Sequence, residues 1–402
     1  MPTLRSARTP DGRLLDVEVD ETGVVTASGP ASGVVEPGDI DLAGRLTVPA
    51  PGEPHAHLDK AYTADLVPNP AGDLMGAIEA WRARYGERTP DEIARRARHG
   101  AEVALGHGAT AIRTHVDVGE TIGTRAVEAV AGVREELRDR IDLQIVALVA
   151  CPLSGPDGRG NRRALDAAIE AGVDLVGGCP HLDADPQAVV DATLDAGTEA
   201  GLPLDLHVDE TLDPSMRSLP MLARAVLDRG FDLGVAASHC VSLGMQPEAD
   251  QAETARLCAE AGVSVVTLPQ TNLFLQARGI GTAPPRGLTA LPALLEHGVN
   301  VAGGGDNVED PFNTVGRNDP LETAALLVMA GHLTAEQAYE TVSTEVRRAL
   351  GLPDAGLEVG QRADLLVTAA ATVRELVASA PPERSVLRGG RVVAETVLER
   401  RI

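Results

Sequence analysis

Residues 51–60 read PGEPHAHLDK, which sets His55 and His57 one residue apart, directly ahead of Asp59 and Lys60. Side chains alternate faces along an extended chain, so both imidazoles aim at the same side. Two imidazoles aimed at one point become a metal site when a third donor and a carboxylate join them. His207 in LHVDE and Asp306 in GGGDN are the candidates, and the four together suit one divalent metal per chain, Zn2+ or Fe2+, with a position left for water. Glu210, three residues past His207, is read as a proton shuttle, and His239 in ASHC as a group that hydrogen-bonds the water. His115 in RTHVDV and His181 in CPHLD exceed the ligand positions on offer; they read either as groups supporting ligands or substrate, or as packing histidines. Lys60, the only lysine, reads either as a contact to a substrate oxygen or as a partner of Asp59. His99, His107, His297 and His332 fall on helical stretches or their ends and are expected to face solvent.

Such residues converge only if separate elements bring them together. Apolar strand candidates occur at EPHAH, ATAIRTHVDV, DLQIVALVA, VDLVGGCPHLD, LPLDLHVDE, DLGVAASHC, VSVVTLPQT and NVAGGGDN, alternating with Ala-rich amphipathic stretches. Eight strand–helix units with short crossovers predict a (β/α)8 barrel over residues 49–357, with chemistry at the C-terminal strand ends. One helix start is clearly marked: Thr89 is placed to cap TPDEIARRARHGAEVAL, with Pro90, Asp91 and Glu92 in its first turn. Residues 1–48 and 358–402 read instead as short strands with turns, including a GG hairpin, and predict one small β-sandwich domain built from both ends of the chain.

Composition narrows the function. With 44% hydrophobic and 23% charged residues the chain reads as globular. A net charge of -24 argues against nucleic acid and anionic membrane as partners, because phosphate contacts need Lys and Arg. The sequence contains neither a bilayer-length apolar run nor the apolar core of a signal peptide, which predicts a cytoplasmic protein. Cys151, Cys179, Cys240 and Cys258 form no CxxC pair and read as reduced thiols. Aromatic residues are scarce, and Tyr62, Trp81, Phe274 and Phe312 are expected around the barrel mouth, where rings could cover a flat substrate.

The order HAH, HVDE, SHC and GDN, flanked by a split β-domain, resembles the amidohydrolase superfamily and, in detail, its cytosine deaminase-like branch. EPHAHLDK, IRTHVDV, DLQIVA, PHLD, LHVDE, ASH, PQTNLFLQARG and GGGDNVEDPF carry the likeness over essentially the whole chain. The resemblance implies that His55, His57, His207 and Asp306 hold a single metal, that Glu210 carries protons to a ring nitrogen, and that His239 orients the hydrolytic water. Binuclear relatives use a carboxylated lysine at the end of the fourth strand; here His181 lies near that place, in keeping with one metal. Lys60, His115, His181, Asn272, Asn307 and Phe312 are the expected substrate contacts.

Two departures shift the substrate away from cytosine itself. Ala150 stands where a glutamine would read the pyrimidine edge, and Asp306-Asn307 with Phe312 replaces the expected pair of acids and a tryptophan. Asp-Asn at that place is also similar to triazine-ring members of the branch. The expected activity is metal-dependent hydrolytic deamination of a nitrogen heterocycle, a small molecule. The alternatives are hydrolysis of a cyclic amide or imide, loss of an alkylamine from the ring, or, least, a non-catalytic scaffold. Assembly into a homo-oligomer is compatible with the sequence, but no segment announces an interface.

Overall fold

The structure, a computed structural model, describes residues 3–399 and 401. The chain opens with short strands β1 (Thr3–Arg8), β2 (Leu14–Val19), β3 (Val25–Pro30), β4 (Ile40–Asp41) and β5 (Leu46–Pro49). Leu4, Val17, Val19 and Val25 bury their side chains in a small core of their own.

From residue 52 the pattern changes to strands alternating with helices. Strands β6 (Gly52–Ala56), β7 (Ala111–Val118), β8 (Asp142–Val149), β9 (Leu175–Gly177), β10 (Leu204–Val208), β11 (Val235–His239), β12 (Val263–Thr267) and β13 (Val301–Gly303) lie side by side in sequence order. Neighbouring strands are parallel, and a parallel bridge between Ala56 and Asp306 joins the last strand to the first. Helices cover the outside, so the strands are buried on both faces and read as apolar runs, as DLQIVALV does in β8. This is the expected (β/α)8 barrel. In the helix Pro90–Gly106, Thr89 Oγ1 accepts from the Glu92 amide at 3.2 Å, the cap foreseen for it.

The chain then returns to its first sheet through β14 (Leu365–Thr368), β15 (Arg384–Arg388) and β16 (Arg391–Thr396). Antiparallel pairing of β14 with β5 places Leu366 opposite Val48, giving one sheet in the order β16-β15-β14-β5-β1-β2-β3, with β4 against β1. Gly389 and Gly390, at φ 55° and 72°, make the two-residue turn between β15 and β16, where both positions need positive φ. Arg384 fastens this sheet to the barrel through a two-pronged pair with Asp319, at 2.9 and 2.7 Å. Among the described residues no helix is long and apolar enough to cross a membrane.

The barrel seam is held by Glu53. Its carboxylate accepts from the His55 amide at 3.0 Å and from the Gly305 amide at 2.8 Å, so one side chain satisfies backbone groups of both the first and the last strand segments. Burial pushes this carboxyl up to about 8 against the pull of those N–H groups. Glu53→Ala strands both donors in the interior and is expected to destabilise the protein by about 2–4 kcal/mol, read as a lowered denaturant midpoint.

Candidate active site

The C-terminal strand ends open into a cavity of about 450 Å3, with His57, His207, His239, Glu210 and Asp306 in its wall. His55 lies at the end of β6 and His57 just past it, with His207 on β10, His239 closing β11, and Asp306 in the turn after β13. His207 Nε2 is 3.1 Å from His55 Nε2 and 3.2 Å from His57 Nε2, and Asp306 Oδ1 is 3.3 Å from His57 Nε2 and 3.8 Å from His55 Nε2. Metal–nitrogen bonds of about 2.0–2.1 Å give a regular tetrahedron edges of roughly 3.3 Å, close to this spacing.

Burial, joined by the charges of neighbouring histidines and Lys60, holds His55, His57 and His207 well below the usual imidazole range. They are therefore neutral, the form that offers a lone pair. Asp306 is raised well above the carboxylate range by burial and then by Glu210, Asp310 and Glu53, and neither of its oxygens has a hydrogen-bond partner among the described residues. Three converging lone pairs and a buried, unpartnered carboxylate are a donor set that a divalent cation satisfies, and a cation there would reverse the shift on Asp306.

Around this centre the backbone is bent out of the ordinary. His207 and Ser238 are register partners on β10 and β11 and share a face, so His239 would alternate away. It instead takes φ 70°, as Asp306 takes φ 67° and Asp209 φ 51°. Such left-handed conformations in non-glycine residues carry strain and concentrate at functional sites. His239 Nδ1 lies 3.1 Å from Asn272 Oδ1 and 3.6 Å from Glu210 Oε1, and its Nε2 is 3.9 Å from Asp306 Oδ2. Burial drives His239 down to about 3 and Glu210 up to about 8, leaving a neutral imidazole beside a protonated carboxyl at neutral pH.

Comparison with known proteins follows the same lines. The model of a family described as "Amidohydrolase family" matches residues 126–398. A pterin deaminase of Rhizobium rhizogenes is 36% identical over 358 residues, 88% of this chain and 82% of its own length. The chain belongs to the amidohydrolase family. An N-isopropylammelide isopropyl amidohydrolase of Pseudomonas sp. is 26% identical to it over 377 residues, 89% of this chain and 88% of its own length. The crystal structure of 5-methylcytosine deaminase from Klebsiella pneumoniae, liganded with 5-fluorocytosine, superposes with a TM-score of 0.90 at 29% identity, covering 100% of this chain and 99% of that one. This amidohydrolase is a hydrolase of carbon–nitrogen bonds.

The residues expected around its site divide between the cavity and the layer behind it. Lys60, Asn307 and Phe312 line the cavity, but His115, His181 and Asn272 lie behind its wall. His115 is fully buried, its ring 3.8 Å from that of His55, and His181 Nδ1 meets the His207 carbonyl at 3.2 Å. Both pack under ligand candidates because the barrel interior is filled by layers of side chains. Of the four aromatics, Trp81 and Phe312 reach the cavity, joined by Tyr85; Tyr62 packs on His99 at 4.7 Å, and the Phe274 ring sits against the Arg278 guanidinium. His99 and His332 are exposed as expected, whereas His107 and His297 are half-buried, each with Nδ1 on a backbone carbonyl.

Three residues that the sequence reading passed over form a chain behind His55. Arg113 Nη1 donates to Asp205 Oδ2 at 2.8 Å, Ser238 Oγ donates to Asp205 Oδ1 at 3.0 Å, and His55 Nδ1 is 2.8 Å from Ser238 Oγ. With Nδ1–H donated to the serine, Nε2 is left as the lone-pair nitrogen facing the cluster. The available signal was Ser238 beside His239 and the acidic Asp205 inside an otherwise apolar strand. Ser238→Ala is expected to weaken divalent-metal binding roughly tenfold with the fold retained, measured by competition with a chromogenic chelator.

Proposed function

We propose that this amidohydrolase is a hydrolytic deaminase of a fused two-ring aminoheterocycle, with His55, His57, His207 and Asp306 holding one divalent metal, Zn2+ or Fe2+. The observation that carries the reading is the convergence of three neutral imidazoles and a buried carboxylate beside a carboxyl that keeps its proton at neutral pH. The likeness to a pterin deaminase supports a pterin-like ring, and a cavity of about 450 Å3 leaves space beyond a single ring.

A divalent cation in that donor set would supply Lewis-acid activation of water near neutral pH. The protein's own groups do the remaining work. Asp306, with Oδ2 directed toward His239 at 3.9 Å, takes the proton from the attacking water. Glu210 gives its proton to the ring nitrogen next to the reacting carbon, takes up the remaining proton of the added water and passes it to the departing amine, and the proton held by Asp306 then returns to Glu210. His239, kept neutral by burial and braced by Asn272, holds the water oxygen with Nε2, an atom otherwise without a partner among the described residues. Trp81, Tyr85 and Phe312 shield the ring from bulk water.

Glu210→Gln is expected to lower kcat at least a thousandfold while leaving metal content and thermal midpoint near those of the parent; near-normal turnover removes the shuttle role. Glu210 acts as its protonated form and its folded pKa is raised to about 8. Activity is therefore present below that value and falls as pH rises through it, so log kcat/KM should decline with unit slope on the alkaline side. A panel of amino-substituted pteridines, pyrimidines and triazines, assayed for ammonia, is expected to show the highest kcat/KM for a pteridine. Alkylamine release from N-alkylamino triazines with no ammonia from any ring would favour the activity named for the Pseudomonas relative.

A further inference from the structure

One wall of the cavity carries charge that the proton-transfer scheme leaves unused. Lys60 is 2% exposed, and its Nζ is 2.8 Å from Asp117 Oδ2, which also accepts from Trp81 Nε1 at 2.9 Å. The Asp117 amide donates to Asp59 Oδ2 at 3.2 Å. Nζ stands 5.8 Å from the centre of the Trp81 ring and 5.4 Å from that of Phe312. Both Lys60 and Asp117 line the cavity together with His57 and Asp306.

Structural duty accounts poorly for this pair. A buried ion pair is seldom more stabilising than apolar side chains of the same volume, and the surrounding wall of Trp81, Tyr85, Leu148 and Val118 is already apolar. Three other buried pairs among the described residues, Arg113–Asp205, Arg347–Asp364 and Arg384–Asp319, use arginine. Lys60 is the single lysine of the chain. An ammonium differs from a guanidinium in being a compact charge whose three donors rotate freely.

Those donors are not all taken. One goes to Asp117, and His57 Nδ1, at 3.3 Å, carries a proton and accepts nothing when His57 offers its Nε2 lone pair to the cluster. Asp117 keeps 13% of its side chain exposed and borders the cavity. The wall thus presents a donor and an acceptor side by side, at the edge of a slot flanked by flat rings. Ala150, also in the cavity wall, has no polar group to offer.

We propose that the Lys60–Asp117 pair reads the edge of the substrate: the ammonium donates to a ring carbonyl, and the carboxylate accepts from the ring N–H beside it. The enzyme then selects aminoheterocycles that carry a cyclic amide next to the reacting amidine carbon, as 2-amino-4-oxopteridine does. This specificity rests on the aminohydrolase reading above, and its test separates the two.

The test is calorimetric binding of 2-amino-4-oxopteridine and of 2-aminopteridine, which lacks the carbonyl, to metal-loaded Glu210→Gln protein, so that turnover does not consume the ligand. The oxo ring is expected to bind about 10–100-fold more tightly. Lys60→Met leaves Asp117 buried without a partner and can fail to fold, so the deciding variant is Lys60→Met/Asp117→Leu, which removes both charges. In that background the preference should shrink below about threefold, with a thermal midpoint close to the parent's. A preference that survives the double substitution, an absence of preference in the parent, or binding of neither ring overturns the proposal. Ammonia release by the unsubstituted enzyme is measured in parallel. A clear oxo preference without ammonia release sustains the edge reader and removes the deaminase, whereas release without preference does the reverse.

Discussion

Glu53 stands where the first barrel strand meets the last, accepting from the amide of His55 on one side and of Gly305 on the other. A ring of parallel strands has no free edge, and the point of closure has to satisfy backbone groups from two segments some 250 residues apart in the chain. Closure is also what sets His55 and His57 against Asp306, one residue beyond Gly305. Every later feature of the site inherits this geometry: without the seam, the imidazoles of β6 and the carboxylate after β13 have no reason to meet.

The centre is costly to build. Imidazoles, a carboxylate and the Glu210 carboxyl are removed from water, and several of their atoms find no partner among the described residues. Stability by itself would favour apolar side chains there. The cost gathers at the C-terminal strand ends, along with the left-handed backbone of Asp209, His239 and Asp306, while the interior below is mainly apolar apart from a few buried polar groups. The relay from Arg113 through Asp205 and Ser238 to His55 links the two regions, since it uses buried polar groups of the barrel interior to hold one imidazole at the mouth in a single orientation.

Charge is distributed with the same economy. Burial pushes Glu210 up and His239 down, so two neighbouring titratable groups are both neutral at pH 7 and each is suited to a different part of proton transfer. Lys60 and Asp117 pair at 2.8 Å on the adjoining wall, beside Trp81 and Phe312. The metal-ligand candidates with Glu210 and the Lys60–Asp117 pair thereby border one cavity.

Much of this was legible in the sequence, for a physical reason. A barrel with both faces covered writes each strand as an apolar run, and a polar residue at the end of such a run stands out: HAH, HVDE, SHC and GDN each break one. The strand number, the split terminal sheet, the Thr89 cap and the Gly389-Gly390 turn all depend on local patterns of this kind. Tertiary structure alone decided what depends on side-chain direction and distance. His115 and His181 follow the same local pattern as His207 yet point beneath the cavity, and Asn272 braces His239 instead of facing the ligand space. Asp205 and Ser238 interrupt apolar strands, but the pattern does not join them to each other or to His55, and Asp117 acquires its partner only because the segment after β6 folds across the end of β7. Periodicity reports which residues leave the apolar pattern. It carries no information about which of them meet, because that is set by strand register, by closure of the ring and by the positive φ values that turn individual side chains back toward the mouth.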